Sequence, residues 1–302
     1  METSKKNVQE IRISVPWGYL AGKAYGEEQD PLVVCTHGIM DNAGSLDRLI
    51  TYLPNTFYYI AVDLPGHGQS SHFPPHLPIH TLNYLLVYKY ISKYYGKKYI
   101  ILGHSYGGQI GILYAQLYPD CVEKVIMLDT VSIFPVSASY FKDYISGNLE
   151  DFVKMEEKLL GKQPPSYTEE EALHKLQNGR NYGPITRAAA VALFPRSVKK
   201  VGNDQYQFTL DQRIKHALNL TRDIRYIIET LKSNPLQCPV LFILGKKSTA
   251  QQVYLSSLIQ YLKKQKNIRF KMVEGNHDVH NNNPERVAPH IVKFLLWKKG
   301  KL

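Results

Sequence analysis

The strongest constraint in this chain is a set of short runs that are apolar almost throughout and end in glycine or a polar turn. Leu32-Val33-Val34-Cys35-Thr36 ends in His37-Gly38, and Tyr58-Tyr59-Ile60-Ala61-Val62-Asp63 ends in Leu64-Pro65-Gly66-His67-Gly68. Tyr99-Ile100-Ile101-Leu102 ends in Gly103, and Lys124-Val125-Ile126-Met127-Leu128 ends in Asp129. A strand exposed on one face alternates apolar and polar residues. One that stays apolar is buried on both faces, as in a parallel sheet covered by helices. The covering helices are expected between the runs, at Thr81 to Tyr95 and Gly107 to Tyr118. This is an α/β pattern. Ahead of it, Ile11 to Val15 and Tyr19 to Ala24 alternate, which predicts an antiparallel hairpin at the sheet edge.

The rhythm breaks after Asp129. From Val131 to Gln237 the chain offers Glu-, Lys- and Tyr-rich helical stretches instead, such as Leu149 to Leu160 and Tyr167 to Asn178. The strand signal returns at Pro239 to Gly245 and Ile268 to Val273, with helices expected at Gln251 to Lys263 and Pro284 to Trp297. The expected organisation is a core in two parts, residues 1–130 and 238–302, split by a mostly helical cap at 131–237. The cap thus enters after the sixth core strand of a mostly parallel sheet flanked by helices.

Composition narrows the classes. Hydrophobic residues are 44% and charged residues 21%, as in ordinary globular domains, which argues against disorder. The net charge of +11 is spread over separated pairs such as Lys97-Lys98, Lys199-Lys200 and Lys263-Lys264. Solvated surface lysines explain it best, with a diffuse attraction to anionic membranes or substrates second. No nucleic-acid motif accompanies the charge, so nucleic acid is not an expected partner. Cys35, Cys121 and Cys238 are an odd number without paired spacing, which fits small buried thiols in a reducing compartment. Met1 to Glu10 lacks the apolar stretch of a signal peptide, and no run approaches the roughly 18 apolar residues of a membrane span. An intracellular, cytoplasmic protein without a transmembrane segment is expected. Gly300-Lys301-Leu302 resembles a peroxisomal address loosely, with Gly where Ser is usual. Weak association with a membrane surface and the oligomeric state stay open.

The candidate chemistry gathers beyond the strand ends, where open α/β sheets bind ligands. Gly103-His104-Ser105-Tyr106-Gly107 follows a buried strand and opens a helix, so Ser105 would stand clear of the sheet on a strained turn. A serine hydroxyl needs a base to become a nucleophile. Among eleven histidines, His277 follows the last strand in Gly275-Asn276-His277 and is the expected base, with His280 its nearest competitor. His37 and His67 are expected to organise loops, and the side chain of His104, beside the nucleophile, is expected to point away from Ser105. The acid often follows the strand represented here by Val240 to Gly245, but that place reads Lys246-Lys247-Ser248-Thr249. Asp129, at the end of the preceding core strand, is the expected acid; Asp278 adjoins His277, and adjacent side chains diverge. The amides of Tyr106 and Ile39, with Met40 behind Ile39, are the expected oxyanion donors. No metal and no organic cofactor are expected. Of the tyrosines in the insertion, Tyr140, Tyr144, Tyr167 and Tyr182 are candidates for lining a pocket.

Together, His37-Gly38, Asp63-Leu64-Pro65-Gly66-His67-Gly68, Gly103-His104-Ser105-Tyr106-Gly107-Gly108 and Gly275-Asn276-His277 resemble the α/β-hydrolase superfamily. Within it, Leu128-Asp129-Thr130, Phe194-Pro195-Arg196, Phe208 to Arg213 and His277 with His280 and Pro284 resemble the serine hydrolase-like proteins, including the kraken-type insect members. An acid after the sixth core strand is similar to the haloalkane dehalogenases. Those enzymes and the epoxide hydrolases attack with Asp, however, and this chain has Ser105 in that place. The resemblance implies a carboxylic ester hydrolase acting on a small acyl or ester substrate through Ser105, His277 and Asp129. The alternative is a ligand-binding protein that keeps the fold with little turnover.

Overall fold

The computed structural model describes residues 6–248 and 253–297. One eight-stranded sheet runs in the order β1 (Val8–Val15), β2 (Gly18–Tyr25), β4 (Tyr58–Val62), β3 (Leu32–Thr36), β5 (Tyr99–His104), β6 (Val122–Leu128), β9 (Val240–Gly245), β10 (Ile268–Val273). β1 and β2 form the expected antiparallel edge hairpin, and β2 meets β4 antiparallel. From β4 to β10 every neighbouring pair is parallel.

The alternation of side chains along a strand explains the apolar runs. Val33, Cys35, Tyr59, Ala61, Ile100, Leu102, Leu241 and Ile243 point to one face. Val34, Ile60, Ile101, Met127 and Phe242 point to the other. Helices Leu85–Tyr95, Ser105–Leu117 and Ser256–Lys263 cover the second face with Tyr88, Ile91, Ile110, Tyr114 and Leu258. The turn Asp47–Ile50 and the helix Pro284–Leu296 cover the first with Leu49, Ile50, Val287, Ile291 and Phe294. Cys35 and Cys238 are buried thiols, as expected, whereas Cys121, in the turn ahead of β6, is only half-buried. Lys124 departs from the surface reading of the lysines. Its Nζ donates to the carbonyls of Leu295 and Trp297, both at 2.8 Å, at the end of the last helix.

Between β6 and β9 the chain adds no strand to this sheet. It forms helices Phe141–Leu159, Glu169–Asn178, Arg187–Ser197 and Ile224–Ser233. The first begins eight residues before the expected Leu149, because Tyr, Ser and Gly weaken the helical signal there. The second starts on a capping box between Thr168 and Glu171. A small antiparallel hairpin, β7 (Val198–Gly202) with β8 (Gln205–Phe208), interrupts the helical run. Lys199 and Lys200 interrupt the alternation in β7, and β8 is only four residues long, so the hairpin gives little pattern to read. Among the described residues, no helix is long and apolar enough to cross a membrane. Gly300-Lys301-Leu302, Lys298-Lys299 and the start of the helix expected from Gln251 lie outside the described residues.

The turn from β5 into its helix leaves no room for a side chain. A Cβ on Gly103 would sit 2.4 Å from the Cα of Gly108 and 2.5 Å from its nitrogen, both backbone atoms that cannot swing aside. Gly103→Ala is expected to cost about 2 kcal/mol or more, read as a lower urea midpoint with an unchanged slope. A midpoint equal to wild type would mean that the turn can open without cost.

Candidate active site

β5 ends at His104 and the helix begins at Ser105 with no residue between them. Ser105 takes φ +46°, a left-handed backbone rare for a side-chain-bearing residue. Its Oγ lies 2.9 Å from Nε2 of His277, which sits after β10. Nδ1 of His277 lies 2.5 Å from Oδ2 of Asp129. The other carboxylate oxygen of Asp129 accepts the Gly245 N–H at 2.7 Å. Asp129 is itself left-handed, at φ +47°. With both carboxylate oxygens accepting, Nδ1 carries the proton and Nε2 faces the serine as an acceptor.

The loop after β9 offers no carboxylate, as the sequence indicated. It works through its backbone instead. The N–H of Lys246 donates to Val273 O at 2.9 Å, and that of Lys247 to Gly275 O at 3.0 Å, which ties the end of β9 to the histidine loop. The Lys246 side chain pairs with Glu274 in solvent.

The loop after β3 presses on the serine from the other side. A Cβ on Gly38 would lie 2.8 Å from Nδ1 of His104 and 3.2 Å from the Ser105 Cβ. Asp41 N–H closes the turn on Gly38 O at 3.1 Å, with Met40 at φ +66° where such turns usually carry glycine. Met40 N–H donates to Nε2 of His67 at 3.2 Å, so of the two expected donors in this loop Met40 is already engaged. Ile39 N–H has no such acceptor among the described residues. Nε2 of His37 accepts Leu64 N–H at 2.9 Å, tying this loop to the one after β4. Both rings must be neutral to accept, and burial makes them so: His37 is pushed down to about 4 and His67 to about 3.

Sequence reading missed a charged cluster beside these residues. Arg180, from the inserted segment, donates to Asp41 Oδ1 at 2.7 Å and to Asp278 Oδ1 at 2.6 Å. One guanidinium therefore joins the β3 loop, the histidine loop and the insertion. Burial would raise the Asp41 carboxyl, but Arg180 outweighs it and holds Asp41 below the usual carboxylate range. Asp278 ends above that range, because burial prevails there over the shared cation. Asp41, Asp278 and His104 stand close enough together to hold a metal ion, but Arg180 already supplies the positive charge between the two carboxylates. His104 lies against the backbone of the histidine loop, with Nε2 3.1 Å from His277 O. His280 packs against His104, its ring tilted by 32° with centroids 3.9 Å apart, and does not reach Ser105. Burial pushes His280 down to about 3 and His104 well below its ordinary value. Nothing in the linear sequence marked Arg180, since Asn178-Gly179-Arg180-Asn181 reads only as the end of a helix.

A cleft of about 590 Å³ opens over Ser105 and His277. The β3 loop supplies Ile39 and Met40, and the insertion supplies Leu176, Arg180, Tyr182 and Phe208. The Tyr182 ring lies 4.4 Å from that of His277. Tyr140, Tyr144 and Tyr167 do not line this cleft: Tyr140 is exposed, Tyr144 accepts Asn219 N–H, and Tyr167 packs on Phe208.

Residues 31–280 match the α/β hydrolase fold family. The chain belongs to this family. Serine hydrolase-like protein 2 of Homo sapiens is 31% identical over 303 residues, covering 95% of this chain and 94% of that one. A probable serine hydrolase of Drosophila melanogaster is 30% identical, covering 95% and 87%. The chain is thus one of the serine hydrolase-like members of the family, and their names and fold support a hydrolase. Among solved structures, a hypothetical protein of Pseudomonas aeruginosa shares the fold with a TM-score of 0.80 at 23% identity, covering 95% of this chain and 97% of that one.

Two predictions follow from the buried charges. Arg180→Leu leaves Asp41 and Asp278 without a counter-charge and is expected to cost about 3 kcal/mol or more in urea unfolding. Adding Asp278→Asn should recover part of that loss; an unchanged Arg180→Leu midpoint would mean that water already reaches both carboxylates. The second concerns acid. His37, His67, His104 and His280 are all lowered in the folded protein. Above about pH 6.5 neither state binds these protons and the stability is full. As pH falls below that value toward about 4, the unfolded chain takes up protons that the fold refuses. Each such histidine then removes about 1.4 kcal/mol per pH unit. Urea midpoints should fall steeply across this window, and His280→Leu should flatten the slope by about one proton. A slope identical to wild type would mean that His280 is protonated in the folded protein.

Proposed function

We propose that the protein is a serine hydrolase of carboxylic esters or related acyl compounds. Ser105 attacks the acyl carbonyl, and Nε2 of His277 takes its proton and returns it to the leaving group. Asp129 orients the imidazole and stabilises its charged form. The N–H groups of Tyr106 and Ile39 hold the oxyanion. Water, activated by the same histidine, then releases the acid from the acyl-enzyme.

One observation carries this reading: the unbroken chain from Ser105 Oγ through His277 to Asp129, with contacts of 2.9 and 2.5 Å at the floor of an open cleft. The helix that starts at Ser105 adds support, because its first turn has N–H groups without carbonyl partners within the helix, and these favour developing negative charge. Residues 131–237 act as a cap between the two core segments 1–130 and 238–302 in this reading. Leu176, Tyr182 and Phe208 on that cap would set the acyl or alcohol preference. A protein that binds a ligand with little turnover is the competing possibility that the test must separate.

Labelling by a fluorophosphonate probe tests the nucleophile. Wild type should label, and Ser105→Ala should not; a wild type that stays unlabelled, or equal labelling of the two, would falsify the assignment. Asp129→Asn is expected to lower kcat on a small ester by roughly 10³- to 10⁴-fold, because the imidazole loses its orienting acceptor. Turnover that survives this change would move the acid's role to another residue.

A further inference from the structure

A second groove, about 800 Å³ in volume, lies in the inserted segment. It meets the cleft over Ser105 at a shared wall of Phe208, Leu210 and Lys215. One face of the Phe141–Leu159 helix lines it, with Asp151, Lys154, Met155, Lys158 and Leu159 recurring at helical spacing. Lys162 continues the row beyond the helix end. Asp151 is the one carboxylate on this wall among the described residues, and it lies 3.9 Å from Lys154. Lys158, Lys162 and Lys215 are exposed and have no carboxylate partner among the described residues. Lys215 donates only to the neutral Gln212 Oε1, at 2.7 Å. The acid nearest in sequence to Met155, Glu156, faces His76 at 3.5 Å and away from the groove. Met155, Leu159, Tyr167 and Phe208 give the wall apolar stretches beside the cations, alongside the polar Gln163, Gln212 and His216.

We propose that the substrate is an acyl ester or thioester whose leaving alcohol or thiol carries phosphate, bound at Lys158, Lys162 and Lys215. This rests on the reading of Ser105 as nucleophile. Three uncompensated cations in one groove call for a multivalent anion, and phosphate oxygens meet ammonium groups in charge-assisted hydrogen bonds. The apolar stretches suit the carbon chain that separates such a phosphate from the scissile bond. The open, solvated groove fits the half that departs after the first step. The acyl half stays on Ser105 through the second step and has Ile39, Met40 and Leu176 to lie against. In the first step the bond from acyl carbon to the leaving oxygen or sulfur breaks as the bond to Ser105 Oγ forms. The serine proton passes through His277 to the leaving atom. Water then cleaves the acyl-enzyme to the free acid, and the phosphate is never broken.

Two matched pairs with one acyl chain test this: acyl-coenzyme A against S-acylpantetheine, and 1-acylglycerol 3-phosphate against 1-acylglycerol. We expect kcat/KM to favour the phosphorylated member of at least one pair by about tenfold or more, with the advantage shrinking as salt rises. Preference in both pairs identifies the phosphate itself. Preference in the first alone points to a soluble coenzyme-type thiol, and in the second alone to a lipid headgroup; all three outcomes support the proposal. The triple substitution Lys158→Gln, Lys162→Gln, Lys215→Gln should bring the ratio close to one. Equal rates within both pairs, or a ratio untouched by the triple substitution, overturns the proposal and leaves the nucleophile assignment standing. Fluorophosphonate labelling without turnover of any of the four compounds overturns the substrate class alone. If labelling also fails, both readings fall together.

Discussion

Five parallel strands buried on both faces, with a sixth, β10, at the sheet edge, impose one geometry on everything else in this protein. Parallel strands end on a common rim, and their loops must meet there. The turn after β5 brings Ser105, the end of β6 brings Asp129, and the loop after β10 brings His277. The end of β9 joins them through a backbone amide, with Gly245 N–H holding the carboxylate that faces His277. The sheet thus supplies fixed anchor points, and the side chains need little freedom to find one another.

The rim is costly to build. Of the five non-glycine residues with positive φ among the described residues, Met40, Ser105 and Asp129 lie here. Each left-handed backbone costs on the order of 1–3 kcal/mol and persists only where its surroundings leave no alternative. His37 and His67 form part of those surroundings: their neutral rings accept backbone N–H groups and fasten the β3 loop to the β4 loop. Arg180 adds the tie that reaches across from the insertion. A single guanidinium shared by two buried carboxylates couples the insertion to the two loops that flank Ser105, so displacement of one element disturbs the others.

Much of this was legible in the chain. Strands buried on both faces have no polar positions to interrupt them, so Leu32 to Thr36 and Tyr99 to Leu102 announced themselves and their ends located the rim. The elbow was legible for a local reason of its own, because Gly103, Gly107 and Gly108 leave no room for a side chain where β5 turns into a helix. The inserted segment was less so. Its hairpin at Val198 to Phe208 is short: Lys199 and Lys200 break the alternation of β7, and the alternation of Tyr206 and Phe208 in β8 is too brief to read. Its tyrosines were equally silent about direction: Tyr182 reaches the cleft, whereas Tyr140 faces solvent.

The sequence by itself determined the α/β architecture and the residues that gather at its rim, because burial on both faces and the demand for small residues at a tight turn act locally. Tertiary structure alone decided which polar groups become partners. Arg180 lies 139 residues from Asp41 and 98 from Asp278, and no local pattern encodes a contact at that range. The groove of Lys158, Lys162 and Lys215 likewise exists only once a helix and a distant loop are folded against each other. Charge acts through space rather than along the chain, so its meaning appears only when the fold has set the distances.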